Sequence, residues 1–163
     1  MTIALRCRFR LRRSGDLYLA EHVTPNLEAN VGLDDMLDVY FSGGTQKALW
    51  YIGLISQTGF SSSVAAGDTM ASHAGWLEGT NYSEATRVQW IDGGVSSRFI
   101  TNPAAAQFTM TTADAVVGAF LVSNNTKSGT TGILFSAAEF GDPITPTVGE
   151  ILRLYWDGTI AQG

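Results

Sequence analysis

One cysteine and two histidines among 163 residues leave little material for metal or redox chemistry. Cys7 has no partner for an intrachain disulfide and reads as a small apolar side chain on a strand. A thiolate zinc site needs more sulfur than that, and neither His22 nor His73 falls in a spacing such as H-E-x-x-H. No metal and no cofactor is expected.

Charge is scarce as well. Charged residues make up 15% of the chain, against roughly 25% in an ordinary soluble domain. Such a deficit suggests a surface partly hidden against partners. Apolar runs such as residues 48–55 fall far short of the roughly 20 residues that span a bilayer, so no membrane segment is expected. The N-terminus alternates arginine with apolar residues and has no continuous apolar stretch, so it does not read as a secretory signal. Synthesis in a cytoplasm fits best.

Catalytic patterns are missing too. There is no G-x-S-x-G elbow, and residues 42–47 lack the G-x-x-x-x-G-K-[ST] frame of a phosphate loop. Asp34, Asp35 and Asp38 do not alternate around a glycine turn as calcium ligands do. Asp68, Glu78, Glu84 and Asp92 are scattered through loops, with nothing to set the separation that a glycosidase pair requires. No catalytic residue is assigned, and an enzyme is not expected.

What the chain does have is β pattern and glycine, 18 residues of it. Its length suits one domain, 1–163, of mainly β character. From Ile3 to Leu11 the odd positions are apolar, and from Arg6 to Arg12 every even position is arginine. That is a strand with one apolar and one basic face. A turn at Ser14–Asp16, followed by Leu17, Leu19 and Val23, completes a basic hairpin over 1–24. Residues 30–42 read as a helix capped by Asn30 or an Asp. Asp34 and Asp35 suit its positive end, and Leu33, Met36, Leu37, Tyr40 and Phe41 line one face. Trp50–Ile55 reads as a central strand, and 57–85 as a long loop holding a turn capped by Asp68 and stopped by Gly75. Further strands are expected near 76–79, 86–91, 95–101, 106–112, 115–123, 130–136 and 148–157. The fold class is an antiparallel β-sandwich, jelly-roll-like, with one short α-helix and a long loop.

The arginine strand raises the question of nucleic acid. Residues 1–13 carry +5, so the remaining 150 residues of a chain at −5 carry −10. A body that acidic repels a phosphate backbone, and no aromatic interleaves on the basic face. Arg6, Arg8, Arg10 and Arg12 suit a carboxylate-bearing protein surface better, since guanidinium pairs with carboxylate bidentately. A solvated or internally paired face is the bland alternative. On the partner reading, Arg6, Arg8 and Arg10 are replaceable without loss of fold, because the odd positions carry the core.

The segments "NLEANVGLDDMLDVYF", "WYIGLI", "AAGDTMASHAGWLEGTNYSEATRVQW" and "VVGAFLVSNNTKSGTTGILFSAAEF" resemble a family of small structural proteins of tailed bacteriophages and prophages. The resemblance runs from about residue 20 to 158 and covers the arginine strand least. It implies a virion component made in the host bacterial cytoplasm. Capsid cement or decoration on the major capsid protein is the first reading, as a lattice-bound or homo-oligomeric subunit. A neck, tail or fibre-associated subunit is the alternative. The physical reading gives Trp76 and Tyr82 as loop anchors and partner contacts, and Asp68, Gly75, Glu84 and Arg87 as residues that fix the loop, with Glu84 and Arg87 as an ion pair. From another class comes a host-surface carbohydrate-binding module, with Trp50, Trp76, Trp90 and Trp156 as a stacking platform. Trp50 and Trp156 have apolar neighbours and read better as core.

Overall fold

The computed structural model describes residues 3–13 and 22–162, with the backbone alone for residues 3–7, 11, 22 and 162. Among them, eleven strands form two antiparallel sheets. In the first, β1 (Ile3–Arg13) lies between β2 (His22–Pro25) and β11 (Ile151–Gln162). β11 pairs in addition with β7 (Phe99–Thr101) and β8 (Ala106–Thr109). The second sheet runs β3 (Leu27–Glu28), β10 (Leu134–Ile144), β9 (Val116–Val122), β4 (Trp50–Ser56), β5 (Leu77–Gly79). β6 (Val88–Trp90) also pairs with β4, opposite Trp50–Ile52. The expected turn at Ser14–Asp16 and the apolar positions Leu17 and Leu19 lie outside the described residues.

The period-two pattern of β1 does what its chemistry requires. Phe9 stands opposite Trp156 on the inner face and is fully buried, while Arg8 stands opposite Asp157 on the outer face. Phe9, Phe108, Leu152, Leu154 and Trp156 of the first sheet meet Ile52, Leu54, Ala119, Leu121 and Ala138 of the second in one cluster. Burying side chains of this kind stabilises by about 1.5–3 kcal/mol each.

A second cluster lies on the other face of the second sheet. There Ile55, Val117, Phe120, Val122, Leu134 and Ala137 pack under Ala29, Met70 and Trp76. The long segment after β4 is thus a third layer. This is why β9 reads Val-Val-Gly-Ala-Phe-Leu-Val with every residue buried: it is covered on both faces. Backbone bonds tie the layer down, from Gln57 N–H to the Ala115 carbonyl (2.8 Å) and from Asn30 N–H to the Ala66 carbonyl (2.8 Å). β5 falls inside the span 57–85, which is therefore not one continuous loop.

The helix differs from its expected form. α1 (Asn30–Leu37) starts after Ala29 with no side-chain cap. Its first donors are met instead by neighbouring backbone, Ala29 N–H reaching the Phe135 carbonyl at 2.9 Å. Asp34 and Asp35 fall in the second turn, so the expected dipole match is not made. Gly32 is buried against β10, where an added Cβ would lie 2.6 Å from the Phe135 Cα. A π-helical turn (Asp38–Ser42) follows and ends at Gly43 in the left-handed region. The wider turn puts the later residues out of phase with the core. Leu37, Tyr40 and Phe41 are exposed at 51, 80 and 76%, so the expected apolar face is only half used. No helix among the described residues is long and apolar enough to cross a membrane. Residues 141–143, between the strands expected at 130–136 and 148–157, form a register irregularity within β10, with Gly141 at φ +82°.

Candidate functional site

The outer face of the first sheet is built by three cross-strand pairs: Arg8 opposite Asp157, Arg10 opposite Tyr155, and Arg12 opposite Arg153. Asp157 is 1% exposed and lies beneath the arginines. Its Oδ2 accepts from Arg8 Nε at 3.0 Å and Arg10 Nε at 2.7 Å, and its Oδ1 from Arg10 Nη2 at 3.0 Å. The Thr101 hydroxyl donates a further, short bond to Oδ1. Burial alone would raise this carboxyl, but the bonds from Arg10 and Thr101, with the charge of Arg10 and the bond from Arg8, outweigh it and hold it low. The Arg10 guanidinium also stacks over Tyr155, 4.6 Å from the ring centroid, and that of Arg12 lies 5.5 Å from the same ring.

The arginine row is therefore partly compensated within the chain. Arg8 keeps half its side chain in solvent, whereas Arg10 is only 21% exposed. Replacing Arg10 without loss of fold would still carry a cost, since it removes two of the four bonds to this buried carboxylate and leaves those from Arg8 and Thr101. Arg6 has its backbone opposite Thr159, and its side chain lies outside the described residues. Arg13, at the end of β1, pairs with Glu150 through Nε–Oε1 at 2.5 Å and Nη2–Oε2 at 2.8 Å. That bond, against burial and aided by Thr147, lowers the Glu150 carboxyl.

In the third layer, Asp68 accepts from Ala65 N–H at 2.9 Å and from Trp76 Nε1 at 2.8 Å. One carboxylate thus closes a turn and pins the largest ring of the layer. Trp76 is 1% exposed, stacks on His73 at 3.8 Å and packs against Phe120 of β9 at 5.4 Å. His73 Nδ1–H donates to the Trp76 carbonyl at 3.0 Å. Gly75 stands at φ +90°, and a Cβ there would run into Ser62.

Arg87 is buried at 1% and forks onto Glu78, Nε–Oε1 at 2.9 Å and Nη2–Oε2 at 2.8 Å. It also donates to the carbonyls of Asn124 and Gly129. The expected Arg87–Glu84 pair is not formed: Glu84 accepts from the Thr109 N–H instead. β5 and β6 both line β4, which brings Glu78 rather than Glu84 alongside Arg87.

Tyr82 is 3% exposed, edge-on to Phe108, with the Lys127 ammonium 3.6 Å from its ring centroid. Burial, with Glu78 nearby, pushes its hydroxyl above the ordinary tyrosine value. Trp76 and Tyr82 therefore anchor the loop from inside and offer no face to a partner, contrary to the expectation of direct contacts. The four scattered carboxylates are all engaged in local structure, including Asp92, which accepts from Gly94 N–H. Among the described residues, no three His, Cys, Asp or Glu side chains converge as metal ligands would.

Sequence reasoning missed Asp157. Its signal was there in β11, where Arg153, Tyr155 and Asp157 alternate with Leu152, Leu154 and Trp156. Trp50, Trp90 and Trp156 gather at one end of the sandwich, apart from Trp76. The last two bury their N–H groups: Trp90 Nε1 on Asn102 Oδ1 at 3.0 Å and Trp156 Nε1 on Ser136 Oγ at 2.9 Å.

No protein-family model matches this chain, and no curated protein matches it either.

Proposed function

We propose that the chain is a non-enzymatic virion structural protein of a tailed bacteriophage, a capsid cement or decoration subunit. It docks on the major capsid protein through the outer face of its first sheet. The observation that carries this reading is that face, with Arg8, Arg10, Arg12 and Arg153 on one sheet surface of a chain whose net charge is −5. Asp157 holds Arg8 and Arg10 in place, so docking costs them less rotamer freedom. The acidic remainder of the chain disfavours a continuous phosphate backbone, while the guanidinium row itself suits local carboxylates of a protein partner, which it can pair with bidentately. A subunit that adds interface area stabilises a shell by mass action, without chemistry.

Maps of particles assembled with and without this chain test the proposal. Density lost at many sites over the shell is expected. Density lost only at the portal vertex or tail would replace cement by the neck or tail reading, and unchanged particles would remove the virion role.

A further inference from the structure

Where β4 begins, the two sheets and the helix leave a cleft of about 290 Å³. Trp50, Trp90, Phe135 and Trp156 form much of its floor, and Met36 and Val39 contribute to the helix side. We propose that this cleft is a binding site for a neutral aromatic group of roughly two fused rings. The inference stands apart from the virion reading and does not depend on it.

Three observations carry it. The floor rings are fixed by consecutive edge-to-face contacts: Trp50–Phe135 at 5.4 Å, Phe135–Trp156 at 5.7 Å and Trp90–Trp156 at 5.3 Å. Such contacts set ring orientation and leave a preformed aromatic surface. The size is right as well, since an apolar cavity of about 150 Å³ already takes benzene. Polarity decides the class. The N–H groups of Trp90 and Trp156 are engaged in the core, and at the rim Asp35 is neutralised by Lys47 at 2.8 Å. Apart from the paired Asp35 and Lys47, only Gln46 and Tyr40 bring polar side-chain atoms to the lining, too few for the hydroxyls of a sugar, and an ion would face a rim whose charges are already matched.

The full chain is titrated with N-phenyl-1-naphthylamine, a neutral dye that brightens in apolar surroundings. Saturable one-to-one binding is expected. Val39→Trp and Gln46→Trp each place an indole in the cleft, and each should weaken binding by about tenfold or more with the fold retained in a thermal melt. Leu37→Ala, which lines an adjoining groove that shares Met36 and Tyr40 but does not line the cleft itself, should leave binding unchanged. Displacement by free indole alone identifies a small-molecule site. Equal displacement by N-acetyltryptophanamide identifies a receptor for a protein side chain, and either result upholds the proposal. It is overturned by absent saturation, by unchanged binding in either folded filling variant, by loss in Leu37→Ala, or by displacement with methyl glucoside.

Discussion

Asparagine at position 157 would keep the shape of the side chain and remove its charge. Asp157 accepts three bonds from Arg8 and Arg10 and one from Thr101 at a site only 1% exposed. Hydrogen bonds to charged groups contribute about 1.5–3 kcal/mol each when protected. Arg8 is half in solvent, so its share falls toward the roughly 0–1 kcal/mol of a surface pair. An asparagine oxygen keeps part of the acceptor role, while its amide opposes the guanidinium donors. The net loss is about 2–4 kcal/mol, or roughly 5–15 °C in Tm for a chain of this size.

The acid limb should change as well. The folded carboxyl lies below its ordinary value of 3.8, so the unfolded chain takes up the proton first as pH falls. The stabilisation from Asp157 is thus complete above the unfolded value and lost as pH drops through the depressed folded one. Asp157→Asn should lose stability at pH 7 and show a shallower acid limb, in urea melts across pH. A loss under about 0.5 kcal/mol, or an unchanged acid limb, would refute the reasoning.

Gly32→Ala should destabilise, although alanine is the better helix former, because its methyl group meets the Phe135 backbone. A melting temperature at or above wild type would contradict that packing. Trp76→Ala should cost about 3–5 kcal/mol in chemical denaturation, since it removes the ring covering Phe120 and leaves Asp68 without its indole partner. Gly75→Val should raise amide exchange in 57–76 before it does so in β4 and β9; equal protection everywhere would count against a separate third layer.

How much was legible in the sequence depended on the range of the interaction. Strict alternation fixed the two faces of β1, because a period of two allows nothing else once one face is buried. The apolar run of β4 announced a central strand and residues 115–123 a further strand, but not that the segment after β4 supplies the cover on one face of both. Gly75 was readable because a turn is local, whereas Asp68 closes the turn before it, through Ala65 N–H, instead of capping the one that follows. The Arg8–Asp157 pair joins residues 149 positions apart, and only the β1–β11 register makes them neighbours. Arg87 chose Glu78 over the nearer Glu84 for a similar reason, the shared edge of β4. The π-helical turn has no signature in the apolar spacing of residues 33–41, so a continuous amphipathic face was expected where the chain exposes Tyr40 and Phe41.

Attachment of the purified protein to depleted particles over a salt series, wild type beside Arg8→Gln, tests the docking face most directly. Arg8 is the most exposed described arginine paired to Asp157, so its replacement changes the face more than the fold. The account predicts that wild-type occupancy falls with added salt, and that Arg8→Gln binds more weakly with a flatter salt dependence. Unchanged particle occupancy for Arg8→Gln, together with lost binding to duplex DNA, would contradict it.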